Sequence, residues 1–251
     1  ELSGVNAGPS ANGLDITAGS STVRGLVINR FCAPADLNVD NRWLQVGNGI
    51  FLHTPGEPLL IEDMKGDNRI EGNFIGTDVT GTIDLGNGGH GVQMYYSPGN
   101  RIGGTDAGAR NVISGNGVCG IQGGANNVIQ GNLIGTDVTG TRDLGNSLDG
   151  INLDNGFNNM VGGTTAAARN IISSNGRNGV VVGSGSRGNI IQGNFIGTDV
   201  SGEVKLGNTF SGVFINNGPE TTVGGTEAGA GNLISGNGQD GIVISAAGIV
   251  D

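Results

Sequence analysis

The chain has 251 residues, of which 52 are glycine and only six proline, with seven phenylalanines, two tyrosines, one tryptophan and a formal net charge of −10. Glycine at about three times its usual ~7% share excludes an ordinary helical protein, its irregular spacing excludes collagen, and the few aromatics exclude a core of large rings. Twelve Lys and Arg against 22 Asp and Glu form no basic stripe for nucleic acid, and no apolar run of 18 residues could insert in a membrane.

The chain opens on ELSGVNAGPSANG, with no basic-plus-apolar leader, and closes on GIVISAAGIVD inside a strand pattern. Both ends are expected to be interior to a longer protein with further domains. Strands are predicted where Gly-[aliphatic]-x-[aliphatic], or a near variant, starts at Gly13, Gly49, Gly91, Gly120, Gly150, Gly179, Gly212 and Gly241. A second strand per coil is predicted at a polar-x-[aliphatic]-x-Gly signature. This runs from Ser21 to Gly25, Asn68 to Gly72, Asn100 to Gly104, Asn127 to Gly131, Asn159 to Gly163, Asn189 to Gly193 and Thr221 to Gly225. Cys32 and Cys119 are too far apart along such a stack to bridge, so both are expected as separate thiols.

A longer period overlies these units. GNFIGTDVTGTIDLGN at Gly72 returns at Gly131 and Gly193, and RIGGTDAGARNVISGN at Arg101 returns in variant form at Met160 and Thr222. The expected architecture is all-β: one domain over 1–251, a right-handed parallel β-helix of about seven coils with long turn loops. Equivalent strands would pair in parallel about 4.8 Å apart.

The strings Gly-Ile-x-Ile, Asn-x-Ile-x-Gly-Asn-x-Ile and Gly-Asn-Gly resemble the right-handed parallel β-helix repeats of the pectate-lyase-like superfamily, over nearly the whole chain. IGTDVTGT followed by LGN is most similar to the repeats of large bacterial secreted or surface proteins. The resemblance implies a secreted or cell-surface location. It also implies one of two functions: a non-catalytic structural or adhesive module, or a polysaccharide lyase, epimerase or glycoside hydrolase.

In the strand after each start glycine, the second and fourth residues should point inward and the third and fifth outward. That places Asp15, Phe51, His53, Gln93, Tyr95, Gln122, Asn152, Asp154, Phe214 and Asn216 in an outward row that could lie along a polysaccharide or cell-surface glycan. Trp43, in the irregular loop after the first coil, is a further candidate glycan contact. If the chain is an enzyme, His53 with Tyr95 one coil above and Asp15 on the diagonal beneath, joined by Glu57 and Lys65 from the next loop, is the candidate acid/base cluster. The row carries no Arg or Lys to receive a uronate.

His90 enters its strand at the opposite end from His53 and is expected in a turn. Asn68, Asn100, Asn127, Asn159 and Asn189 are expected as stacked turn amides. No cofactor is required, although Asp78 with Asp84, and Asp137 with Asp143, could hold calcium; the competing expectation is that each Asp bonds its own loop amides. Thr77, Thr136 and Thr198 repeat as an ice-binding row would, but each precedes a long loop that spoils a flat face.

Overall fold

A computed structural model describes residues 1–9, 11–32, 47–56, 58 and 60–245. Trp43 and Glu57 lie outside the described residues. The strands wind through three parallel sheets in strict rotation, so that each strand pairs with those three before and three after it. The result is a right-handed parallel β-helix.

Sheet I contains the eight strands that follow the start glycines: Leu14–Ile16, Ile50–His53, Val92–Tyr95, Ile121–Gln122, Ile151–Asn152, Val180–Val182, Val213–Asn216 and Ile242–Ser245. Sheet II contains the seven strands of the polar-x-aliphatic signature, from Thr22–Arg24 to Thr222–Val223. Sheet III was not foreseen. Its eight strands, among them Phe74–Ile75, Val112–Ile113, Leu133–Ile134 and Ile171–Ile172, are mostly two residues long, and all but Leu2–Ser3 and Val27–Asn29 lie inside the repeated strings. Each 59- or 62-residue period therefore spans two coils, only one of which carries the long loop.

The core is a pile of aliphatic side chains, one layer per coil. Ile50, Val92, Ile121, Ile151, Val180 and Val213 of sheet I face Ile70, Ile102, Ile129, Val161 and Ile191 of sheet II, all at 0% exposure. Layers repeat at the strand spacing of about 4.8 Å, so any chain segment near a corner must be thin. Gly91 shows why: a Cβ there would stand 2.6 Å from both the Gly120 carbonyl and the Ile113 side chain.

The corners are closed by asparagine ladders. In the first, Asn68, Asn100, Asn127 and Asn159 each pass a side-chain amide hydrogen bond to the asparagine of the next coil at 2.9–3.0 Å, ending at Asn189, as expected for stacked turn amides. A second runs through Asn73, Asn111, Asn132, Asn170, Asn194 and Asn232. A third runs through Asn87, Asn116, Asn146, Asn175, Asn208 and Asn237. These buried amides are almost fully satisfied, which is what makes a polar corner tolerable inside a packed rod.

The long loops fold on their own aspartates. Asp78 accepts the Thr80 hydroxyl at 2.7 Å and the amides of Thr82 and Ile83 at 3.0 Å; Asp137 repeats this with Thr139, Thr141 and Arg142. Asp84 and Asp143 each take a different amide, of Gly86 and Gly145, at 2.9 Å. Turn chemistry therefore occupies the carboxylates proposed for calcium. Among the described residues no group of three or more His, Cys, Asp or Glu side chains is placed to hold a metal. Thr77, Thr136 and Thr198 are buried, at 0%, 0% and 3%, so they present no ice-binding face. Cys32 and Cys119 are free thiols, the first exposed and the second buried.

Candidate functional groove

A fourth row of corner residues precedes the strands of sheet I: Asn12, Asn48, His90, Cys119, Asp149, Asn178, Ser211 and Asp240. Its hydrogen bonds run in the opposite sense to the three asparagine ladders, the backbone amides of Asn48, His90, Cys119, Asn178 and Ser211 donating to the side chain of the coil before. His90 donates to Asn48 at 2.8 Å, Asn178 to Asp149 at 3.0 Å and Ser211 to Asn178 at 3.2 Å. His90 thus sits in a turn, as expected, with its Nδ1 accepting from the Cys119 amide at 3.4 Å. Where the other rows repeat asparagine, this row changes residue type in the middle of the rod, and there it borders a concave surface.

That surface has two adjoining parts. One, of about 240 Å³, is lined by His90, Cys119, Asp149 and Arg177 at the entry to the strands and by Gln122, Asn152, Asp154, Phe214 and Asn216 along the outward row. The other, of about 360 Å³, is bounded by Tyr95, Tyr96, Met94 and Phe157 and shares Gln122 and Asp154 with the first. Seven of the residues expected to meet a glycan, Gln93, Tyr95, Gln122, Asn152, Asp154, Phe214 and Asn216, therefore line one continuous groove across sheet I.

Two of the expected residues are nearly covered. Phe51 is 2% exposed and Gln93 is 4% exposed, although strand alternation points both outward. The Phe51 ring stacks against His53, with centroids 4.2 Å apart, and the Gln93 carboxamide accepts from Asn48 Nδ2 at 3.0 Å. Local partners on the strand face cover both side chains: Phe51 lines neither part of the groove, and Gln93 borders the second part with only a small exposed edge.

The proposed acid/base cluster is partly assembled. His53 is the register partner of Tyr95, and Asp15, paired with Phe51, lies on the diagonal; its Oδ1 is 2.7 Å from His53 Nε2. Lys65 meets this region through its backbone amide, which donates to Thr54 Oγ1 at 2.6 Å. His53, Asp15 and Lys65 line neither part of the groove.

Within the groove, the charges sit on Asp149, Asp154 and Arg177. Burial raises the Asp154 carboxyl above the ordinary aspartate value; the Asn152 side chain opposes this and the nearby Asp149 charge adds to it. Gly183, one coil further on, makes room: a Cβ there would fall on the Asp154 carboxylate. Cys119 is pushed up strongly, first by burial and then by Asp149, which leaves an inert thiol in the groove wall. Sequence reasoning missed Asp149, Arg177, Tyr96 and Phe157. The available signal was the breakdown of asparagine at the residue before each start glycine.

The class these features define is a parallel β-helix with a polar and aromatic groove across one sheet. No protein-family model and no curated protein matches the chain. Among solved structures it is similar to the one described as the Streptococcus pneumoniae surface protein and adhesin PfbA, at 13% identity and a TM-score of 0.31. The similarity covers 94% of this chain and 62% of that one, so the chain spans less than two thirds of the length of its neighbour.

Proposed function

We propose that the protein is a β-helical structural or adhesive module of a secreted or surface protein, built on repeats of the pectate-lyase-like kind, that holds a glycan along sheet I. The observation that carries this reading is the groove itself. Side chains from five successive coils, Tyr95, Gln122, Asn152 with Asp154, Val181, and Phe214 with Asn216, line its floor. Their coils are spaced at about 4.8 Å, close to the rise of one sugar ring. Amides and a carboxylate supply hydrogen bonds to hydroxyls, and the aromatic rings supply flat apolar faces for the axial C–H side of a sugar. The histidine dyad that would start catalysis lies outside that groove.

The test is a glycan panel screened for binding and for cleavage together. Binding that falls about tenfold or more in Phe214→Ala and Asn152→Ala proteins, without new reducing ends or unsaturated uronates, supports the module. Absence of binding across neutral, acidic and amino glycans overturns it. A second reading, glycoside hydrolysis, is favoured by two carboxyl groups, Asp149 and Asp154, lining the same groove, with burial raising Asp154 above the ordinary aspartate value, since bond cleavage uses a pair of carboxyl groups. New reducing ends that disappear in Asp154→Asn would select it.

A further inference from the structure

The Tyr95 end of the groove differs in chemistry from the rest. Its walls are carbon-rich: Met64, Met94, Tyr95, Tyr96 and Phe157 all line the cavity of about 360 Å³. The two tyrosine rings stand edge to face, with centroids 4.4 Å apart and planes at 60°, so they form two sides of a corner. One charged side chain lines this part among the described residues, and it is a carboxylate, Asp154. An apolar ligand would leave that half-buried charge uncompensated, and an anion would be repelled by it.

The backbone at Tyr96 is the second observation. The residue at this place, just past the sheet I strand, adopts the left-handed conformation in three coils: Asn155 at φ 57°, Asn217 at 55° and Tyr96 at 49°. Asparagine enters that region at small cost, whereas a bulky aromatic residue does not, and such strain is concentrated at functional sites. Here the strained turn is clamped: the Thr54 hydroxyl donates to the Tyr96 carbonyl at 2.6 Å and accepts the Lys65 amide at 2.6 Å. The loop that follows the preceding strand of sheet I thus holds an aromatic ring where the fold alone would be better served by asparagine.

We propose that this corner is a binding site for an alkylated ammonium group, with Tyr95, Tyr96 and Phe157 as the aromatic walls and Asp154 as the counter-charge. Ring faces carry negative quadrupole density and attract a cation whose charge is spread over methyl groups. Methionine side chains fill the remaining apolar contact, and the carboxylate sets the sign. The group could arrive free, as a choline-like cation, or as a substituent on a saccharide lying in the groove; the chemistry at the corner is the same. The site does not depend on a glycan occupying the rest of sheet I.

The test is calorimetric titration with choline and with 3,3-dimethyl-1-butanol, the neutral carbon isostere of choline, and separately with glucosamine oligosaccharides carrying trimethylated or acetylated nitrogen. Choline is expected to bind at least about tenfold more tightly than the isostere. Asp154→Asn is expected to abolish that preference. Tyr96→Asn is the decisive variant, because it relieves the left-handed strain: its melting temperature should equal or exceed the parent's while choline binding is lost. If only the trimethylated oligosaccharide binds, the source is a glycan substituent; if choline binds equally well, the free cation suffices. Equal binding of choline and its isostere, no binding of any cation, or a Tyr96→Asn protein that binds as the parent does would each overturn the site.

Discussion

Replacing Asn132 by alanine cuts one rung from the middle of a ladder, and the structure sets the cost. The Asn132 side chain donates to the carbonyls of Ile102 at 2.9 Å and Gln130 at 3.0 Å, donates to Asn170 Oδ1 at 3.0 Å, and accepts from Asn111 Nδ2 at 2.9 Å. The amide group has two N–H donors to share among its three acceptors, so with the accepted bond about three hydrogen bonds at a net ~1 kcal/mol each are lost, about 3 kcal/mol and a large part of a domain's stability. Three of the abandoned partners belong to the buried residues Asn111, Asn170 and Ile102, whose polar groups would lose a buried partner. Urea unfolding followed by circular dichroism measures the change, with the exposed Gln239→Ala as a control expected to stay within about 0.5 kcal/mol. A loss below about 1 kcal/mol for Asn132→Ala would show that the ladders decorate the corners and that aliphatic stacking alone holds the rod.

Three further outcomes follow from the same structure. Hydrogen bonds, first from the Ser201 side chain and then from the Val204 and Ser201 amides, hold the Asp199 carboxyl below its ordinary 3.8 despite some desolvation. Its contribution is therefore complete above that value and is lost as pH falls through the folded value. Asp199→Asn should accordingly lose less melting temperature than the parent between about pH 5 and about pH 2, and parallel curves would contradict this. Because turn amides and hydroxyls already occupy Asp78 and Asp137, a chelator should leave the melting temperature unchanged, and a fall restored by calcium would assign a cation to those loops. Gly183→Ala should displace the Asp154 carboxylate and weaken ligand binding in the groove with little change in melting temperature, whereas unaltered affinity would remove Asp154 from the binding surface.

Much of this rod was legible because its strands repeat against a fixed glycine. The start glycines marked every strand of sheet I, and Asn68 and its equivalents marked sheet II, since a corner with a 4.8 Å neighbour above and below admits few residues. Sheet III stayed hidden for a physical reason: a pair such as Val112–Ile113 is too short to show alternation, and its neighbours Asn111 and Asn116 look like loop residues until their ladders are seen. The outward row was legible only in part. Alternation correctly placed Gln122, Asn152, Asp154, Phe214 and Asn216, and even the diagonal contact of His53 with Asp15. It misplaced Phe51, because alternation says which way a side chain leaves the strand and nothing about what closes over it. Asp149 and Cys119 were passed over for the opposite reason: each is unremarkable alone, and their meaning lies in standing where other coils repeat asparagine.

The central claim is that ligand lies across sheet I between Tyr95 and Asn216. Amide-resolved NMR of the protein titrated with the best oligosaccharide from the glycan panel tests it directly. The account predicts shift changes confined to the strands Ile121–Gln122, Ile151–Asn152 and Val213–Asn216 and to the turn at Tyr95 and Tyr96. Changes centred on His53 and Asp15, or on the outer face of sheet II, with these strands silent, would contradict it.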